Sequence, residues 1–290
     1  MTESLVAVAL ALASALSQAF GTVMRHRTAE RPGAAVESRF GVLASGYWWA
    51  GMGVSLAGFA FQGLALLFGS LILVQTVAVL SLTFALPLGA WFHGRRVTKT
   101  ELFWGYVLAG CVAVLVAYGR PTGGETPPPW YAWLLACGVG VTVVGVLMGL
   151  SRRRRRRDRA LLLGVAGGTA FAYVALLTKG VADRWVAGGL PDVLTSGEIY
   201  GVGVAAVAAL TLQQMSFSAG AVHQAVPAST VTTPVVALAL GVVVLGEWFT
   251  VDGAELVLLG ATLVVMVVAT VLLAHKEVPA APGSVSPPRH

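Results

Sequence analysis

The chain has 290 residues, of which 57% are hydrophobic and only 11% are charged, and its formal net charge is +6. A soluble domain carries about 25% charged residues, so this composition excludes an ordinary soluble protein and indicates a membrane protein. Most of the positive excess lies in one arginine run between Arg152 and Arg159. The run has no interleaved aromatic residues, so we interpret it as a topology signal and expect no nucleic-acid partner.

Long apolar stretches follow one another along the whole chain and predict transmembrane helices. Nine helices are predicted near 4–24, 44–66, 70–93, 102–119, 130–150, 160–181, 197–218, 223–246 and 254–274. Each is close to the roughly 20 residues that cross a hydrocarbon core of about 30 Å. The runs are too long and too evenly apolar for barrel strands. The predicted fold class is therefore an all-α, polytopic membrane helix bundle.

The distribution of lysine and arginine predicts the orientation of this bundle. Sixteen of the 19 lysine and arginine residues fall on one side of the predicted helices and three on the other. Because basic loops face the cytoplasm, we expect the protein to lie in the cell (inner) membrane, with its N-terminus outside and its C-terminus in the cytoplasm. The predicted segments are a first transmembrane repeat at 1–150, a basic cytoplasmic loop at 151–159, a second transmembrane repeat at 160–275 and a disordered cytoplasmic tail at 276–290.

An internal repeat appears when the chain is displaced by 152 residues. Helices two and three then fall on helices seven and eight, and the matched pairs include Gly51 with Gly203, Gln62 with Gln214, Gly94 with Gly246 and Thr98 with Thr250. The related helices are five apart, an odd number, so the two copies cross the membrane in opposite senses. Inverted repeats of this kind are typical of transporters that open to either face around a site near the midplane.

Polar side chains recur on several predicted helices at spacings of three, four and seven, which place them on one helix face. Such residues are costly inside a bilayer and are often functional, so we expect them to line a neutral polar cavity. The candidate substrate-binding residues are Gln18, Gln62, Gln75, Thr76, Thr169, Tyr173, Gln213, Gln214, Thr230 and Thr233. The alternative is that these groups bond to neighbouring helices or to their own backbone.

Four further residues are candidates for gating. Lys179 ends the predicted sixth helix and Glu198 begins the seventh, so both lie near the predicted outer face and could form an ion pair. The alternative is that each is simply solvated at the interface. Pro87 and Pro234 lie within predicted helices, where they are expected to kink the helix and free backbone carbonyls.

No motif in the sequence predicts the chemistry of an enzyme. There is no nucleophile–base pair, no metal-ligand cluster and no phosphate-binding loop, so we expect neither an enzyme nor a cofactor. Cys111 and Cys137 both lie inside apolar segments without metal-ligand spacing, and we interpret them as packing residues.

The run from Leu245 to Thr250 resembles the EamA-like drug/metabolite transporter superfamily, in which a Gly-Glu followed by a Thr commonly closes the third helix of each repeat. In the first copy Gly94 and Thr98 match, whereas Arg95 stands where the Glu is expected. The nine-helix layout, the basic loop after helix one and the run at 48–52 look like the NIPA-type branch, which is associated with magnesium transport. The glycine of that branch's motif matches at 58, but Phe59 replaces its acid.

The expected function is that of a secondary transporter, which moves a small polar or zwitterionic metabolite or a drug-like solute by alternating access. Its expected partners are the solute and the lipid bilayer, with a homodimer as a possibility. One alternative is a transporter of Mg²⁺ or another divalent cation, which prefers oxygen ligands. Another is a membrane scaffold or sensor that transports nothing.

Overall fold

A computed structural model describes residues 2–29, 46–92, 97–119, 121–122, 128–219, 222–249, 251 and 253–274. The predicted tail at 276–290, and the motif residues Gly94, Arg95 and Thr250, lie outside the described residues.

The described part of the chain is an all-α helix bundle, as predicted. Its helices are α1 (Thr2–Ala29), α2 (Gly46–Phe68), α3 (Leu71–Ala78), α4 (Leu80–Phe92), α5 (Lys99–Gly119), α6 (Trp130–Ser151), α7 (Arg156–Thr195), α8 (Gly197–Ser218), α9 (Val222–Val243) and α10 (Ala254–Ala274). Two short strands, β1 (Pro121–Thr122) and β2 (Trp248–Phe249), pair antiparallel. Eight segments among the described residues are long and apolar enough to cross a membrane, and Pro227–Val243 is apolar but shorter.

Three helices differ from their predicted bounds. Helix α1 continues to Ala29, beyond the predicted residue 24. The helix predicted near 70–93 is divided at Val79, where the Leu82 N–H bonds to the Val79 carbonyl, although α3 and α4 together still form one apolar span. Helix α7 continues well beyond the predicted residue 181, to Thr195. It bends at Gly189, whose φ of 69° and ψ of −154° are not helical, directly before the pair Leu190–Pro191. Glycine tolerates this conformation because it has no Cβ.

The helices pack in two groups that meet along three main seams. Helix α1 packs against α2 and α4, and α7 packs against α8 and α9. The groups meet where α2 contacts α7, where α3 contacts α9 and where α5 contacts α10. Helix α3 lies at the centre, and every residue from Leu71 to Val77 is buried. Helix α6 packs on α7, although the sequence analysis assigns 130–150 to the first repeat.

The contacts define two ends of the bundle, which we call the Glu247 end and the arginine end. At the Glu247 end, β1 pairs with β2 and the Lys179 ammonium donates to the Leu66 carbonyl. At the arginine end, next to the run that begins at Arg152, the Ser216 hydroxyl donates to the Ala160 carbonyl. The loops after α5 and α9 therefore lie together at the Glu247 end.

Candidate functional site

Two amides meet between α1 and α2. Gln18 Nε2 donates to Gln62 Oε1 at 3.3 Å and to the Ser14 hydroxyl at 2.9 Å. The helices approach closely here because residue 58 is glycine: a Cβ at that position would lie 2.8 Å from Gln18 Cγ. Both amides are partly buried, so the structure brings two of the predicted site residues together.

The polar residues of α3 are the most deeply buried of the predicted set. Gln75 is 3% exposed and Thr76 is 2% exposed. Gln75 Nε2 and Thr76 Oγ1 have no hydrogen-bond partner among the described residues, and the same holds for Ser55 Oγ and Thr83 Oγ1. A buried polar group without a partner costs about 1–3 kcal/mol, and buried polar groups in native proteins are nearly always paired. Helix α3 therefore presents unpaired polar atoms in the middle of the bundle.

The hydroxyls of the second group are paired with backbone carbonyls instead. Thr169 donates to the Val165 carbonyl of its own helix, at 2.9 Å. Thr233 donates to the Gly168 carbonyl of α7 as well as to the Ser229 carbonyl. These bonds correspond to the structural alternative, in which hydroxyls satisfy helix backbones.

Other predicted site residues lie on α4, α7 and α9. The Tyr173 hydroxyl donates to the Ala136 carbonyl at 2.7 Å, and its ring packs against Gly140 of α6. Thr230 is half-buried on α9. Pro87 is exposed on α4, whereas Pro234 is buried within α9.

The two glutamines of α8 have different environments. Gln213 is partly buried, whereas Gln214 is exposed on the face that also exposes Val204 and Val207. The expectation that Gln214 occupies a place equivalent to Gln62 is therefore not met. The physical reason is helix phase: α8 buries Ala209, Leu212 and Ser216, a spacing of three and four that turns residue 214 outward.

The predicted ion pair between Lys179 and Glu198 is wrong, because each residue has another partner. Lys179 Nζ lies 2.8 Å from Asp183 Oδ1, one turn along α7. Glu198 Oε1 lies 3.2 Å from the guanidinium of Arg184. Spacing explains the difference: the i and i+4 residues of one helix are neighbours, whereas Glu198 follows a bend that the sequence analysis did not place.

The structure adds a buried carboxyl that was not among the predicted site residues. Glu247 is 0% exposed, and its two oxygens accept the N–H groups of Leu71 at 2.6 Å and Ile72 at 2.8 Å. The Ser70 hydroxyl accepts the N–H of Leu73, so side chains satisfy the first three N–H groups of α3. An anionic group at a helix N-terminus is also favoured by the helix dipole.

The sequence contained a signal for this contact in the pair Gly246–Glu247. Gly246 has a φ of 62°, which turns the chain back after α9, and the Glu247 N–H donates to the Gly241 carbonyl at 3.0 Å. The turn aims the carboxyl at α3. The pair was interpreted only as a family motif, because nothing in the sequence indicates which helix start it reaches.

Burial and the neighbouring charges act on the pKa of Glu247, which lies outside the membrane-spanning segments. Burial raises the pKa of this carboxyl above its usual range. The N–H groups of Ile72 and Leu71 and the ammonium of Lys179 oppose the rise in pKa, while Asp183 adds to it. Among the described residues no group of three or more His, Cys, Asp or Glu side chains could hold a metal ion.

Comparison with known proteins gives one clear relative. The chain is 40% identical over 279 residues to an uncharacterized protein of Corynebacterium glutamicum, and the match covers 95% of this chain and 96% of the relative. No protein-family model matches the chain. No solved structure matches it either.

Proposed function

We propose, from the premise that this chain belongs to the same family as the Corynebacterium glutamicum protein, that it is a secondary transporter of a small polar or zwitterionic solute. The observation that carries the proposal is the pair of buried, unpaired polar groups on α3, Gln75 Nε2 and Thr76 Oγ1. A bundle that only had to be stable would gain from apolar groups at these positions. Polar groups retained in the interior of a membrane protein mark a solute pathway.

The packing of the helices supports two inverted halves. Helix α1 contacts α2 and α4 as α7 contacts α8 and α9, which is the arrangement expected if the second group repeats the first. The halves touch along the α2–α7, α3–α9 and α5–α10 seams, and α3 lies on one of them. In carriers built from such repeats, one half rocks against the other around a central site. The resemblance to the drug/metabolite transporter superfamily agrees with this arrangement, as does the proposed inner-membrane orientation with the N-terminus outside.

The chemistry of the buried and partly buried polar groups indicates the class of solute. These side chains are amides and hydroxyls, at Gln18 and Gln62 between α1 and α2 and at Gln75 and Thr76 on α3. Such groups donate and accept hydrogen bonds without carrying charge, so they suit a solute whose net charge is zero. The mechanism requires α3 to exchange contacts with the solute while the α2–α7 and α3–α9 seams open at alternate ends.

The test is to remove the Thr76 hydroxyl and measure stability and transport separately. Thr76→Val keeps the shape of the side chain but deletes an unpaired polar atom, so we expect the thermal unfolding temperature to stay unchanged or rise. Uptake of labelled zwitterionic amino acids into proteoliposomes should fall at least about tenfold, the loss expected when a polar solute group is left unpaired.

Thr270→Val is the matched control for this test. Thr270 is also 2% exposed, but its hydroxyl donates to the Met266 carbonyl of its own helix, α10. We expect this variant to keep wild-type uptake. Equal uptake by the wild type and Thr76→Val would contradict the proposed site, and the absence of uptake above empty liposomes for every zwitterion tested would contradict the proposed solute class.

A further inference from the structure

Glu247 forms a buried contact between the two halves at one end of the bundle. Its carboxyl follows α9 and accepts two N–H groups of α3, so it joins one half to the other. The side chain is 0% exposed. We call the buried position of the Glu247 carboxyl, next to the N–H groups of Leu71 and Ile72, its seat. If the Glu247 end opens, α9 and α3 separate and the carboxyl moves from this seat into water.

Among the residues that the structure describes, the charged groups that act on this carboxyl come from α7. Helices α3 and α9 and strand β2 contain no Asp, Glu, Lys or Arg. Helix α7 supplies Lys179, whose ammonium is held by the Leu66 carbonyl at 3.0 Å and by Asp183 at 2.8 Å. Lys179 is 13% exposed and Asp183 is 53% exposed. The positive charge next to Glu247 is therefore shared with a second carboxylate.

Two opposing effects on the Glu247 carboxyl decide whether acid favours the closed or the open form. Burial disfavours the ionised carboxylate, whereas the two N–H bonds favour it. Burial is the larger effect, and it leaves the pKa of Glu247 raised when the seat is closed. A carboxyl in water has its ordinary pKa of about 4.3. The closed form therefore holds the proton more tightly than the open form, so that acid favours closure and rising pH favours opening.

We infer that Glu247 is the proton-binding residue of this carrier: closing the Glu247 end takes up one proton onto the carboxyl, and opening that end returns the proton to water. The inference rests on the proposed carrier function and adds the ion to which solute movement is linked. Between the pKa of the open form and that of the closed form, the ratio of closed to open protein falls by up to about tenfold per pH unit.

The experiment measures access to the buried seat directly. In a background with Cys111→Ala and Cys137→Ala, Ile72→Cys places a thiol at a position that is 0% exposed while keeping the backbone N–H that Glu247 binds. The full chain in nanodiscs is labelled with a polar maleimide across a pH series. Each rate is divided by that of Leu194→Cys, which is 55% exposed, to remove the effect of thiol ionisation. We expect the ratio to rise with pH.

Substitution of the carboxyl identifies the group responsible. Glu247→Gln cannot ionise and keeps one acceptor oxygen for the two N–H groups of α3, so labelling of residue 72 should lose its dependence on pH. Glu255→Gln, which changes an exposed carboxyl in the first turn of α10, should keep the wild-type profile. In the protein that keeps Glu247, labelling of residue 72 that does not change with pH, or that rises as the pH falls, would overturn the inference.

Two neighbouring variants give an independent test that keeps Glu247 in place. Lys179→Met removes a charge that favours the carboxylate, so the midpoint of labelling should move to higher pH. Asp183→Asn removes a charge that favours the protonated acid, so the midpoint should move to lower pH. Midpoints that do not move in these opposite directions would also overturn the inference. No solute is present in the assay, so its result is separate from that of the uptake test on Thr76→Val.

Discussion

Gly246 illustrates how a single residue positions a distant side chain. Its φ of 62° is left-handed, and it turns the chain so that Glu247 meets α3. A side chain at this φ clashes with the backbone, so we expect Gly246→Ala to lower the free energy of unfolding by about 1 kcal/mol. The change is measured by heating the purified protein in detergent and following its unfolding.

The control for this prediction is a glycine with ordinary helical geometry. Gly260 lies in α10, and a Cβ there would meet nothing within 4 Å. Gly260→Ala should therefore raise the stability slightly, by roughly 0.5 kcal/mol, because alanine loses less backbone entropy in a helix. A Gly246→Ala protein as stable as the wild type would show that the turn does not depend on the left-handed conformation.

At the residue scale the sequence identifies which polar groups are present but not which are paired. Gln75 and Thr169 both appear as polar residues within apolar helices, yet Gln75 Nε2 lacks a partner and Thr169 bonds to its own helix. Their difference depends on which atoms of neighbouring helices come within 3.5 Å, and a single sequence does not contain that information. Glu247 was missed as a site residue for the same reason.

Helices α7 and α9 approach each other closely at Gly168. A Cβ at Gly168 would lie 2.7 Å from the Ser229 carbonyl oxygen, which is backbone and cannot rotate away. Gly168→Ala should therefore push the two helices apart and cost about 1–3 kcal/mol. It should also break the hydrogen bond from Thr233 to the Gly168 carbonyl. Thermal unfolding of the purified variant measures the loss.

Gly145 provides the comparison at this scale. It lies in α6, and a Cβ there would meet nothing within 4 Å. Gly145→Ala should leave the unfolding temperature unchanged or slightly higher, since alanine favours helix. If Gly168→Ala unfolded at the same temperature as Gly145→Ala, α7 and α9 would not pack as closely as described.

The existence of most elements could be predicted from apolar run length alone, because each span must bury its backbone hydrogen bonds within one helix. The rotational phase of each helix, which decides which side chains face the core, could not be predicted in this way. A displacement one residue shorter than 152 places the buried Ala209 and Ser216 of α8 on the buried Gly58 and Ala65 of α2. It also places Gln213, in place of Gln214, opposite Gln62. One residue rotates a helix face by about 100°, so an alignment error of one is enough to misplace a side chain.

At the scale of the whole molecule, composition predicted an all-α membrane bundle, and the structure confirms that class. Strands β1 and β2, which follow α5 and α9, pair with each other at one end of the bundle. The seams were not predictable, because apolar helices of similar composition are interchangeable as neighbours. The inverted repeat, the orientation and the transported solute stay proposals.

The central claim is that the two halves move relative to each other to carry a solute. Gly63 of α2 and Thr178 of α7 face each other across a seam, since a Cβ at Gly63 would lie 3.8 Å from Thr178 Cγ2. In a background without native cysteines, Gly63→Cys with Thr178→Cys can form a disulfide between the halves. Gly167→Cys with Leu212→Cys forms one within the second half, where a Cβ at Gly167 would lie 3.7 Å from Leu212 Cβ.

The deciding measurement is solute uptake into proteoliposomes by both pairs, before and after oxidation. The account predicts that oxidation abolishes uptake by the pair across the seam, that reduction restores it, and that the pair within one half transports equally well in both states. Undiminished uptake with the seam fully cross-linked would contradict the account, because a carrier whose halves cannot move apart cannot expose its site to alternate sides.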